Sequence, residues 1–157
     1  MIINKSSTMV SNALFHSQFI EAKNHEEKVN ESYEYLMKRY NTACQNTEAI
    51  WNNLNFAREK LMQVILEKEE ITMCLDNLNT KNQSRRNNKR IKLIQTQLEE
   101  LNEYLKNVID CVNHITNKYN IAFKEVYDIF INIGHVIKSK EIAVSNRKAL
   151  EYKLYYR

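Results

Sequence analysis

From Phe15 to Leu78, residues separated by alternating steps of four and three form an almost continuous apolar stripe. It runs Phe15, Phe19, Ala22, Glu26, Val29, Tyr33, Leu36, Tyr40, Ala43, Thr47, Ile50, Leu54, Ala57, Leu61, Val64, Lys68, Ile71, Leu75 and Leu78. A second stripe of the same spacing runs Ile91, Ile94, Leu98, Leu101, Leu105, Val108, Val112, Ile115, Tyr119, Ala122, Val126, Ile129, Ile133, Val136, Lys140, Ala143, Arg147, Leu150 and Leu154. Steps of three and four keep one helix face turned toward a partner, so each stripe is a heptad seam on a long helix. Between them "LNTKNQSRRNNKRIKL", Leu78 to Leu93, carries only Ile91 as an internal hydrophobic residue.

Two seams of equal length joined by a short polar connection predict an all-α fold, a long antiparallel two-helix coiled-coil hairpin, since neither stripe is stable in water alone. Opposing Leu78 to Ile91 sets Leu54 against Ile115, Leu36 against Ile133 and Phe19 against Leu150, each an a position facing a d position. The expected layout is a flexible N-terminus over 1–10 and one hairpin domain over 11–157, with arms at about 11–78 and 91–155 and a tip over 79–90. Each arm would reach roughly 100 Å at about 1.5 Å per residue. The competing expectation is a compact three- or four-helix bundle: Asn24 followed by Glu27 resembles a capping box, and "YNTACQNTEA", Tyr40 to Ala49, has poor helix propensity.

The seam flanks differ from each other. Beside the d positions stand Met37, Cys44, Trp51 and Ile65 in the first arm and Ile109, Phe123, Phe130, Ile137 and Val144 in the second. The other edge reads Ser32, Arg39, Asn46, Asn53 and Lys60, then Lys118, Glu125, Asn132 and Ser139, and is polar. A two-helix hairpin has no layer to cover an edge containing Trp51, Phe123 and Phe130. This predicts a homodimer, hence a four-helix assembly, or an obligate hetero-complex, with Met37, Trp51, Phe123, Phe130 and Ile137 as partner-binding residues. Glu26, between the layers of Lys140 and Arg147, would form a charged network that locks register, and Lys68 would snorkel outward.

Composition sharpens this picture. The 157 residues include no proline and one glycine, so the strongest helix breakers are almost absent. No run approaches the roughly 18 apolar residues of a membrane span, and the first twenty residues lack a secretory h-region. Cys44, Cys74 and Cys111 follow no metal or redox spacing and suit free thiols in a reducing cytoplasm.

The net charge is +4, and Lys81, Arg85, Arg86, Lys89 and Arg90 concentrate cations at the tip. Such a cluster fits an acidic protein surface better than nucleic acid, because no aromatic residue between Phe56 and Tyr104 could stack on bases. No catalytic, cofactor or metal site is expected. None of His16, His25, His114 and His135 has a glutamate three residues before it, as di-iron bundles require, and Cys111 with His114 is only half a ligand set. Glu69, Glu70, Glu99 and Glu100 read as a solvated band, and Gly134 belongs to no phosphate-binding motif.

Two equal arms, a charged tip and a rich helix surface resemble the small, basic, two-helix stalk proteins of type III secretion and flagellar export. That resemblance implies binding to an export ATPase and its gate. The same features suit a non-enzymatic adaptor or scaffold, a secretion chaperone, or a viral or phage helical protein.

Overall fold

The computed structural model describes residues 5–81 and 84–156. Two helices, α1 (Lys5–Asn79) and α2 (Arg85–Tyr155), pack against each other as a helical hairpin, with no strand among the described residues. Helix α1 includes residues 5–10, expected above to be flexible; residues 1–4 lie outside the description. Neither Asn24 nor the stretch 40–49 breaks α1, so the compact bundle is not formed. The Thr42 hydroxyl donates to the Lys38 carbonyl at 3.1 Å and Ser32 to Lys28 at 3.0 Å, which satisfies polar side chains within the helix. Tyr40, Ala43 and Thr47 meanwhile sit on the covered face. Packing of that face outweighs weak local propensity.

Internal packing divides the chain into a terminal unit, Met1–Cys44 with Lys124–Arg157, and a tip unit, Gln45–Phe123. Each is a stretch of α1 against a stretch of α2, and in each the seam positions named above are buried or half-buried. The terminal unit centres on Ala43, Ile129 and Ile133, against which Tyr33, Leu36, Tyr40 and Val126 pack. Leu36 packs on the cluster that holds Ile133, and Val126 on the cluster that holds Ala43, as the antiparallel register requires. Further out, Phe19 meets Tyr155 edge-on with ring centres 6.4 Å apart.

Glu26 pairs with Arg147, whose guanidinium also binds Glu151 at 2.9 Å. Lys140 does not complete the expected network. Its ammonium lies 5.2 Å from the centre of the Tyr33 ring, where the face of the π-system attracts it.

In the tip unit Leu54 is fully buried, with Ala57, Val64, Leu78, Val108 and Ala122 also in the core. Lys68 is half-buried, its stem lying along a groove with Ile65 and Leu105. Helix α1 ends where the Lys81 amide turns back to the Leu78 carbonyl at 3.3 Å and Thr80 Oγ1 donates to the Asn77 carbonyl at 2.9 Å. Ser84 then caps α2: its Oγ accepts the Asn87 amide at 3.1 Å and its carbonyl accepts the Asn88 amide at 2.9 Å. Because of this cap α2 begins at Arg85, inside the segment expected to be the tip, and the described residues between the helices are Thr80, Lys81 and Ser84.

Candidate protein-interaction surfaces

Helix periodicity decides which side chains stay outside. In the terminal unit, the e positions place Met37 and Cys44 on α1 beside Phe130, Ile137 and Val144 on α2. Met37, Cys44 and Val144 are half-buried, but Phe130 is 59% exposed and Ile137 is exposed as well. The Phe130 ring lies 6.4 Å from that of Tyr40, centre to centre. A hydrogen bond with the Cys44 side chain raises the Tyr40 phenol above its ordinary pKa, reinforced by charge repulsion from that thiol and by desolvation.

The tip unit repeats the arrangement with larger rings. Trp51 lies 5.2 Å from Tyr119, and Tyr119 lies 6.1 Å from Phe123, so three aromatic residues line one edge. Trp51 and Ile109 remain exposed and Phe123 is 54% exposed. Arg58 holds its guanidinium 5.6 Å from the Trp51 ring centre, giving this row a cationic flank that sequence reasoning did not assign.

The opposite edge is less uniformly polar than expected. In the terminal unit Arg39 and Glu125 form an exposed pair at 3.7 Å, which contributes little to stability. In the tip unit, however, Phe56, Lys60, Tyr104, Val108, Cys111 and Ile115 line a groove of about 490 Å³. Phe56 stands largely in solvent, and the Lys60 ammonium lies 5.9 Å from the Tyr104 ring centre. Tyr104 and Cys111 are seven residues apart, at the register position that reads as polar farther along both arms. That spacing was the available signal for this groove.

Lys81, Arg85, Arg86, Lys89 and Arg90 are all exposed, and none forms an ion pair with an acidic side chain among the described residues. Four of the five occupy the first two turns of α2, where the partial positive charge of the helix terminus adds to theirs. The last turn of α1 carries no basic residue, and the first turn of α2 no acidic one. The tip is therefore a concentrated positive surface whose charges do not serve the helix ends they occupy.

Among the described residues no three His, Cys, Asp or Glu side chains gather as metal ligands, so Cys111 and His114 gain no third partner. Cys44, Cys74 and Cys111 are free thiols. Glu69, Glu70, Glu99 and Glu100 are all exposed. No described helix is long and apolar enough to cross a membrane. No protein-family model, curated protein or solved structure matches this chain.

Proposed function

We propose that the protein is a non-enzymatic coiled-coil adaptor. Its apolar edge seats against helices of another polypeptide chain, and its basic tip makes a second contact with an acidic protein surface. The observation that carries this reading is the exposure, within each unit, of apolar e positions: Phe130 and Ile137 in the terminal unit, Trp51 and Phe123 in the tip unit. Fully burying an aromatic or branched aliphatic side chain is worth about 1.5–3 kcal/mol, so several half-exposed ones together supply substantial association free energy. Their position one step off each seam means that the hairpin cannot cover them by closing more tightly. The tip supports the second contact: among the described residues its cations form no ion pair with an acidic side chain, and they add to the positive end of α2.

Analytical ultracentrifugation of the wild-type chain, alone and with proteins that co-purify with it, tests the edge. Association that Trp51→Glu with Phe130→Glu abolishes at unchanged helicity is the expected result. A wild-type chain that stays monomeric and retains no partner, with Trp51 already shielded from a soluble quencher, would sink the reading. The stalk role in protein export is the special case in which the acidic surface belongs to an export ATPase. Free thiols fit a reducing compartment such as the cytoplasm.

A further inference from the structure

In the tip unit, the edge that holds the Phe56 and Tyr104 groove runs on toward the end of the hairpin. By steps of seven it continues as Glu67, Cys74 and Lys81 on α1, and as Tyr104, Gln97 and Arg90 on α2. Glu100, Leu93 and Arg86 lie between and beyond these on the same flank of α2, three or four residues away. All of them are exposed, Leu93 to 62%. The face therefore carries cations at its outer end and carboxylates about 20 Å farther in, at about 1.5 Å per helical residue. Among the described residues none of these charged side chains forms an ion pair.

We infer that this face pairs with the same face of a second copy, the two tips overlapping antiparallel about a two-fold axis that crosses the hairpin at the level of Cys74. The inference rests on the reading that the tip contacts an acidic protein surface, and it names that surface. Such a two-fold lays α1 on the copy's α1 and α2 on the copy's α2. On α1, reversal about Cys74 sets Lys81 opposite Glu67 and each Cys74 opposite the other. On α2, reversal about Gln95 sets Arg90 opposite Glu100, Leu93 opposite Gln97, and Arg86 opposite Tyr104, a guanidinium against a phenol ring. Each centre is read from one helix alone, and the two coincide. In the antiparallel register that places Trp51 beside Tyr119, residue 74 of α1 is level with residue 95 of α2.

From Glu67 to Lys81 and from Arg86 to Tyr104, no cation falls opposite a cation and no carboxylate opposite a carboxylate. A foreign acidic partner would need the cations of the tip alone and would place no demand on Glu67 or Glu100. An isologous contact demands both sets, at mirrored positions. Leu93 and the copy's Leu93 come within about one helical turn of each other across the axis, which gives the charged contact an apolar centre.

The test uses full-length chains in which Cys44 and Cys111 are replaced by serine, so that a short bismaleimide joins two chains only through Cys74. At about 0.02 M salt these chains should cross-link as dimers, and the yield should fall about tenfold or more at about 0.5 M salt, where screening is strong. Two charge-reversed chains sharpen the result: Lys81→Glu with Arg90→Glu, and Glu67→Lys with Glu100→Lys. Each alone sets like charges against each other and should lose about tenfold or more of the cross-link, with helicity intact by circular dichroism. Mixed, with one of them length-tagged, they restore opposite charges at every one of these contacts and should recover the cross-link as the mixed dimer. A Cys74 chain that does not cross-link at low salt overturns the inference. So do reversed chains that each cross-link like their parent, or whose mixture recovers nothing. The tip contact of the adaptor reading then survives only if changing Arg85, Arg86, Lys89 and Arg90 to Ala releases a different acidic protein. The apolar edge is read separately at high salt, where tip pairing is screened out and association through Trp51 and Phe130 persists.

Discussion

Ile129 and Phe130 are neighbours in sequence and similarly apolar, yet Ile129 is 3% exposed and Phe130 is 59% exposed. The same contrast recurs in the tip unit, where Leu54 is fully buried and Phe56, two residues on, stands in solvent. Residue type does not separate these pairs. What separates them is the angle about the helix axis: about 100° per residue carries a side chain from the seam to a face that two helices leave open. This chain has more apolar faces than its hairpin consumes. One stripe makes the fold, and the other is left exposed.

The contrast breaks hardest at the seam. Leu54→Pro removes a helix hydrogen bond and a buried side chain together, at a cost of about 3 kcal/mol or more. That is a large part of the total for a domain of ordinary stability, and circular dichroism should show major loss of helix. Next comes a matched pair of truncations. Ile133→Ala should cost about 2–4 kcal/mol in urea denaturation, because Ile133 sits in the core beside Ile129 and Ala43. Phe130→Ala, measured at concentrations where the chain is monomeric, should cost within about 0.5 kcal/mol beyond any helix-propensity change. Equal costs would mean that the second face is covered within the monomer, and the distinction between the two stripes would disappear.

The seam was legible because burial on a long helix pair follows a strict spacing, and that spacing tolerated even Glu26, Thr47, Lys68, Lys140 and Arg147 at covered positions. The register followed from equal arms. Three things were not legible. The start of α2 was misplaced because the residues after Ser84 contain no hydrophobic side chain to report a helix; what starts it is a hydroxyl cap, and arginine and lysine sustain it. The groove at Phe56 and Tyr104 was missed because an edge was judged from its majority of polar residues. The partner of Lys140 was missed because a flexible lysine chooses between a carboxylate and a ring by local reach, which heptad position does not encode.

A charged seam position tests whether polar residues there hold register or merely tolerate it. The side chains of Arg147 and Glu26 are 24% and 18% exposed, so solvent screens their pair only partly. Glu26→Gln should cost about 1–2 kcal/mol, as expected when a partly buried hydrogen bond to a charged group is weakened. The loss should change little between low and moderate salt in thermal unfolding. On the open face the sign reverses. Gly134→Ala should stabilise the monomeric hairpin by about 0.5–1 kcal/mol, since the added methyl group meets no atom of this chain and the helix loses its most flexible residue. A destabilised monomer would show that Gly134 serves the packing of the hairpin itself.

The smallest effect on stability belongs to the tip, where charge takes the place of apolar surface. Changing Arg85, Arg86, Lys89 and Arg90 to Ala removes four exposed cations from the positive end of α2. Each is opposed by the helix dipole by at most a few tenths of a kcal/mol in water, and alanine is an excellent helix former. The quadruple variant should therefore unfold at the wild-type temperature or slightly above it. Binding to an acidic partner should nevertheless fall, and fall most at low salt, where screening is weakest. A nucleic-acid contact would instead give affinity for generic DNA or RNA with a salt slope that grows with the number of phosphates neutralised. A variant that melts markedly lower would assign the cations to the fold, and one that binds every partner as tightly as wild type would reduce the tip to a soluble end of the hairpin.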